Sequence, residues 1–235
     1  MKYRMVEVIS SLRTRFQEKM RKVIPLGSCC HIAQTLREMK LVNCSYPFDW
    51  IKTSPTQIAG ILEDDFKIFM DKESFKESEN KNGCSHDVYG SNFFPHKNPM
   101  KEEDYSYYER CIGRFRDVLG SSDTKLFIMI YNLEDGKDDP GISRINEYLK
   151  RVTANYTLLI VRVHCNSENL DFTFKSVGQN VCVLNVHSKG KSNGLQFETD
   201  VEDILFKKAI KGLFQFDVEE GVARPNIRGA YFHAE

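Results

Sequence analysis

Three short segments of almost unbroken apolar residues constrain the fold of this 235-residue chain more than any other feature. They cover residues 125–132, 157–163 and 181–186, and a shorter one covers 23–26. Strands with apolar side chains on both faces must be buried on both faces, as in a parallel sheet between two layers of helices. Segments with helical spacing lie between them, so the sequence predicts one α/β domain over residues 1–235, with three layers and a mostly parallel sheet.

The helices are predicted from apolar residues that recur every three or four positions. A basic amphipathic helix is expected over 1–22, a second begins near Cys30, and others cover 55–70, 103–119, 142–152 and 201–213.

Residues 71–100 show neither the helical spacing nor a strand pattern, and they are predicted to form a long loop over the functional site. The first half is polar, whereas the second half carries aromatic residues that can bury apolar area. We therefore expect the loop to be anchored at its second half. If Phe93 and Phe94 pack against the core near Trp50, they carry His96 toward Cys30.

The overall composition excludes several classes of protein. The 33 Lys and Arg residues balance the 33 Asp and Glu residues, so no bulk attraction to nucleic acid is expected. No apolar run is long enough for a membrane span, and the N-terminus lacks the apolar core of a secretory signal. Seven cysteines without framework spacing indicate reduced thiols. These features together predict a cytoplasmic location.

Polar residues follow each of the four predicted strands, where the carboxyl ends of parallel strands form a crevice for ligands. Cys29 and Cys30 follow the first strand, Asn132 follows the second, His164, Cys165 and Asn166 follow the third, and His187 follows the fourth.

Cys30 is the preferred candidate for a nucleophile, and Cys29 is a weaker one. Cys30 is expected in the first turn of a helix, where free backbone N–H groups and the helix dipole favour a thiolate and lower its pKa. The backbone N–H groups of residues 27–30 can also hold an oxyanion. The competing interpretation is a small buried thiol with no chemical role.

A cysteine nucleophile needs a neighbouring base and a group that orients that base. The candidate bases are His96, His164 and His187, and the candidate orienting groups are Asp49, Asn132 and Asn166. The sequence contains neither a CxxC pair nor an HExxH motif, and no phosphate-binding loop, so no metal and no cofactor is predicted.

Two motifs give the chain a family resemblance: LGSCCHIA at 26–33 and SYPFDW at 45–50. With YG at 89–90 and FPH at 94–96, they make it similar to a bacterial and viral family of papain-like cysteine peptidases. The resemblance extends over residues 23–165. It implies a cysteine hydrolase in which Cys30 is the nucleophile, His96 is the motif histidine and Asp49 belongs to the aromatic-acid block. It also implies a papain-like α+β fold with an antiparallel sheet, against the parallel sheet that the strand pattern predicts.

Two functions are therefore carried forward. The first is a cysteine-dependent hydrolase or acyl transferase that acts on a peptide, amide or small-molecule substrate. The second is a binding module or transferase-like protein that holds a nucleotide, sugar or phosphate at the strand ends without thiol chemistry.

Overall fold

The computed structural model describes residues 18–133, 139–190 and 192–218. In chain order the elements are β1 (Lys19–Met20), β2 (Lys22–Pro25), α1 (Cys30–Glu38), α2 (Pro55–Glu63), a 3-10 turn (Lys72–Ser74), β3 (Phe75–Lys76), β4 (Cys84–His86), β5 (Gly90–Phe94), α3 (Glu102–Gly120), β6 (Lys125–Asn132), α4 (Gly141–Val152), β7 (Tyr156–His164), β8 (Asp171–Ser176), β9 (Val181–His187), α5 (Asp200–Leu213) and β10 (Gln215–Phe216).

The central sheet has five strands in the order β2–β6–β7–β9–β8. Strands β2, β6, β7 and β9 are mutually parallel, and β8 pairs antiparallel with β9 at one edge. The predicted parallel arrangement is therefore confirmed. The strand β8 was not predicted, because its alternating sequence has one polar face, as is usual for an antiparallel edge strand.

Helices cover both faces of this sheet. Successive strand residues point to opposite faces, so alternate residues of one strand pack against different helices. Along β6, Phe127 and Met129 belong to one apolar core that also contains residues of α2, α3 and α4. Leu126 and Ile128 belong to a second core with residues of α1 and α5. All four side chains are fully buried, which accounts for the apolar run in the sequence and confirms the three layers.

The segment 71–100 is more ordered than the predicted loop. It contains a small antiparallel sheet, β3–β4–β5, and even its polar first half contributes the buried Phe75. The prediction was wrong because these strands are only two to five residues long. Such short strands give too few alternations to recognise. The second half is anchored as expected, with Phe93 and Phe94 buried in the core.

Two predicted helices also need correction. The end of the predicted N-terminal helix is extended instead: residues 19–20 form β1, and residue 22 begins β2. Met20 is buried, and β1 pairs with β10. Most of the predicted helix lies outside the described residues. Helix α2 ends at Glu63 instead of residue 70, because Asp65 and Phe66 adopt positive φ angles of 54° and 62° that break the helix.

Within the described residues, no helix is long and apolar enough to cross a membrane. In the same parts of the chain, no group of three or more His, Cys, Asp or Glu side chains is arranged to hold a metal ion.

Candidate active site

The turn between β2 and α1 is locked to a neighbouring segment of the chain. Gly27 and Ser28 have φ angles of 56° and 71°, and the Ser28 N–H donates to Thr53 Oγ1 at 3.1 Å. A Cβ atom at position 27 would lie 3.0 Å from Thr53 Oγ1 and 3.1 Å from the Phe48 carbonyl oxygen. Glycine is therefore required there for both conformation and space. The turn places Cys30 at the first position of α1.

His96 meets Cys30 at the end of this turn. The distance from Cys30 Sγ to His96 Nε2 is 3.3 Å, within hydrogen-bond range for sulfur. His96 follows β5, whose Phe93 carbonyl accepts from the Lys52 N–H at 3.0 Å. The His96 ring also contacts Trp50 edge-on, with ring centroids 6.3 Å apart. The aromatic residues thus carry His96 to Cys30 as the sequence predicted.

Burial controls the protonation of this pair. Removal from water raises the pKa of the Cys30 thiol to about 12, and the charges of Cys29 and Asp49 act in the same direction. Burial also lowers the pKa of His96. A thiol that donates to a neutral imidazole is therefore the resting state near neutral pH. The expected low-pKa thiolate is wrong, because the hydrogen bond from the Cys30 backbone N–H does not offset the loss of hydration.

Asp49 lies close to this pair but is held by an arginine. Its carboxylate Oδ2 accepts from Arg37 Nη2 at 3.0 Å, whereas Oδ1 is buried and has no hydrogen-bond partner. Burial raises the pKa of Asp49 to about 7, against the opposing effect of the Arg37 charge. Asp49 is thus brought near Cys30, but its carboxylate hydrogen-bonds to Arg37 and not to the His96 ring.

Two arginines to which the sequence assigned no role in the site fix the loop 44–50. Arg37 Nη2 donates to Ser45 Oγ at 2.9 Å, and its guanidinium lies 5.4 Å from the centre of the Trp50 ring. Arg114 Nε donates to the Ser45 carbonyl oxygen at 2.9 Å. The available signal was helical spacing, because Arg37 follows Cys30 by seven residues, or two turns of one helix.

The other candidate residues form a separate cluster at the ends of β6, β7 and β9. His164 Nε2 lies 3.2 Å from Asn185 Oδ1, and the His164 ring stacks on His187 with centroids 4.4 Å apart. Asn132 Oδ1 lies 3.8 Å from Cys165 Sγ. β7 is two strands from β2, roughly 10 Å away. The structure therefore does not bring His164 or His187 to Cys30, and Asn166 simply continues the chain beyond β7 with a positive φ of 60°.

His31, which follows the candidate nucleophile, points to the opposite side of α1. It is fully buried between the rings of Phe197 and Phe206, with Ser192 Oγ 3.0 Å from its Nδ1 and Asp203 Oδ1 3.5 Å from its Nε2. His31 therefore ties α1 to α5 and takes no part in the Cys30 site.

Comparison with known proteins adds one finding. No curated protein and no solved structure matches the chain significantly. A family profile matches residues 21–207, which include Cys30, Asp49 and His96. The chain thus belongs to the family described as "Putative papain-like cysteine peptidase (DUF1796)".

Proposed function

We propose that the protein is a cysteine-dependent hydrolase of peptide or amide bonds, with Cys30 as nucleophile and His96 as general base and acid. The observation that carries this proposal is the 3.3 Å contact between Cys30 Sγ and His96 Nε2. Nucleophile and base within hydrogen-bond reach are the geometric requirement for acyl transfer by a thiol. Family membership supports the same class of reaction.

The neutral resting pair defines the first step. Cys30 Sγ attacks the substrate carbonyl carbon while His96 Nε2 accepts the thiol proton, so that negative charge develops on the carbonyl oxygen. The backbone N–H of Cys30 belongs to the first turn of α1 and has no acceptor within the helix. We assign it to the developing oxyanion, in exchange for the hydrogen bond that it makes to the Cys30 sulfur in the free protein, whereas the Ser28 N–H already donates to Thr53 Oγ1.

The second half of the reaction returns the proton. The His96 imidazolium donates it to the leaving amine nitrogen as the carbon–nitrogen bond breaks, which leaves a thioester on Cys30. A water molecule then attacks the thioester while His96 accepts a proton from it. Release of the acid restores the thiol and the neutral imidazole.

The test measures acylation of Cys30. The protein is mixed with p-nitrophenyl acetate, and the release of p-nitrophenol and the mass of the Cys30 peptide are followed. We expect an acetyl group on Cys30 in the wild type and none at this position in C30S. H96A should lower the acylation rate by roughly 100-fold or more, the usual contribution of a general base.

H164A is the matched control, because His164 is also partly buried at a strand end but does not contact Cys30. Its acylation rate should stay within about twofold of the wild type, and the melting temperature of H96A should stay within a few degrees. An unacylated wild-type Cys30, or equal rates in H96A and wild type, would refute the proposal. An unreactive Cys30 would instead favour non-covalent binding at the strand ends.

A further inference from the structure

Thr53 holds the turn that places the proposed nucleophile. Its Oγ1 atom accepts from the Ser28 N–H at 3.1 Å, and its own N–H donates to the Ser28 carbonyl oxygen at 3.3 Å. Ser28 needs such support, because its φ of 71° lies in the left-handed region that a residue with a Cβ atom rarely adopts. Since Cys30 follows Ser28 by two residues, the Thr53 contacts fix the backbone from which the Cys30 side chain starts.

The same segment also holds the strand that leads to the proposed base. The residue before Thr53, Lys52, donates its N–H to the Phe93 carbonyl oxygen at 3.0 Å. Phe93 is a buried residue of β5, three positions before His96. Lys52 and Thr53 thus join the Cys30 turn to the His96 strand, although Cys30 and His96 are 66 positions apart in the sequence.

The contact between the thiol and the imidazole leaves little tolerance for movement. Cys30 Sγ and His96 Nε2 are 3.3 Å apart, and a proton passes directly between them only within hydrogen-bond reach. A displacement of about 1 Å at a reacting group can lower a rate by roughly 100-fold. Removal of the Thr53 oxygen would leave the Ser28 N–H without its acceptor, and the strained turn could then relax and move Cys30 away from His96.

We propose that Thr53 is a positioning residue for the hydrolase: its Oγ1 atom holds the turn so that Cys30 stays within hydrogen-bond reach of His96. This inference rests on the proposed function. Thr53 acts through the backbone of Ser28 and transfers no proton itself, so the proton balance between Cys30, His96 and the leaving group is unchanged.

The test compares T53V, which keeps the shape of the side chain but lacks the oxygen, with T53S, which keeps the oxygen. In the p-nitrophenyl acetate assay, T53V should acylate Cys30 roughly 100-fold more slowly than the wild type at pH 7, whereas T53S should stay within about threefold of the wild type. In an H96A background T53V should have no further effect, because Thr53 acts through the contact with His96.

The pH profile of acylation separates a positioning role from a general loss of structure. In the wild type His96 accepts the proton of the thiol during attack. The rate should therefore be level between pH 7 and 9, above the lowered pKa of His96 and below the Cys30 pKa of about 12. In T53V only the small thiolate fraction reacts, so the rate should rise about tenfold per pH unit. Cys29 and Asp49, whose charges act on Cys30, are present in both proteins.

The matched control is T124V. Thr124 is also half-buried, and its Oγ1 atom also accepts from a backbone N–H, that of Arg21 at 3.3 Å. It directly precedes β6, at the opposite end of the sheet from Cys30. T124V and T53V should both melt a few degrees below the wild type, because both lose hydrogen bonds to the backbone. The acylation rate of T124V should stay within about twofold of the wild type.

Several results would overturn the inference. If T53V is acylated as fast as the wild type while H96A is slow, the hydrolase proposal stands and Thr53 has no positioning role. If T53S or T124V is as slow as T53V, or if the pH profile of T53V stays level, the effect does not come from the Oγ1 atom acting on the Cys30–His96 pair. If the wild type is not acylated at all, the hydrolase proposal fails and the inference fails with it. Should T53V not fold, T53A removes the same oxygen with a smaller side chain, and the same outcomes decide.

Discussion

The buried carboxyl of Asp49 should make the stability of the protein depend on pH in an unusual direction. Most carboxylates stabilise the folded state when ionised, but burial raises the pKa of Asp49 from 3.8 to about 7. The folded protein therefore holds the Asp49 proton over a pH range in which the unfolded chain has lost it. In this range the folded state binds more protons, so stability falls as pH rises.

The size of the effect follows from the two pKa values. Each pKa unit corresponds to about 1.4 kcal/mol, so the change from 3.8 to about 7 corresponds to roughly 4 kcal/mol of unfolding free energy. This contribution is fully present below pH 4 and is lost as pH rises through 7. The substitution D49N keeps the size of the side chain and removes the titration. The pH-dependent effect of the Arg37 charge is already contained in the Asp49 pKa, and Arg37 itself does not titrate in this range, so any remaining effect of D49N is a constant offset.

The assay is urea unfolding at several pH values between 4 and 8, followed by the fluorescence of Trp50, the only tryptophan in the sequence. The unfolding free energy of D49N minus that of the wild type should increase by roughly 4 kcal/mol over this range, because other titrating groups cancel in the difference. The control is D71N. Hydrogen bonds from Ser74 and from the Glu73 N–H lower the Asp71 pKa below 3.8, so Asp71 titrates below the range of the assay and the D71N difference should stay nearly constant between pH 4 and 8. A difference for D49N that does not vary with pH would refute the reasoning.

Two further predictions concern the packing that supports the sheet. Lys125 is fully buried, and its Nζ donates to three backbone carbonyl oxygens at 2.7–3.0 Å. K125M should therefore lower the free energy of unfolding in urea by roughly 3 kcal/mol, whereas K150M, at an exposed position, should lower it by less than about 0.5 kcal/mol. A Cβ atom at Gly141 would lie 2.2 Å from the Pro55 carbonyl carbon, so G141A should lower the melting temperature by several degrees. A Cβ atom at Gly113 would have no neighbouring atom within 4 Å, so G113A should raise the melting temperature slightly. Equal changes of melting temperature in the two glycine variants would contradict the packing argument.

The architecture of the sheet could be predicted because each parallel strand is long and buried on both faces. The strand β6 was predicted at 125–132 and is observed at Lys125–Asn132. The small sheet β3–β5 could not be predicted, because its strands are short. His86 in β4 is an example: its Nε2 lies 3.0 Å from the Ile68 carbonyl oxygen and its Nδ1 accepts from the Val88 N–H, so it is a satisfied core residue. These partners are recognised only once the chain is folded.

The candidate site was predictable to a similar extent. Cys30 could be assigned to a helix N-terminus from the order of elements, and His96 could be linked to it through the aromatic residues before it. The direction of the Cys30 pKa could not be predicted, because burial depends on side chains distant in sequence.

The family description says papain-like, whereas the central sheet of this protein is mostly parallel. Four parallel strands place Cys30 at the carboxyl end of β2, and in the described part of the chain antiparallel pairing is limited to the edge strand β8 and the sheet β3–β5 that precedes His96. The proposed acyl transfer requires a thiol and a histidine within hydrogen-bond reach, and this requirement is met whichever sheet lies behind the helix. The proposed function therefore depends on the geometry of the site and not on the type of sheet. It follows that substitutions in β8, on the far edge from β2, should alter stability without altering the rate at which p-nitrophenyl acetate acylates Cys30.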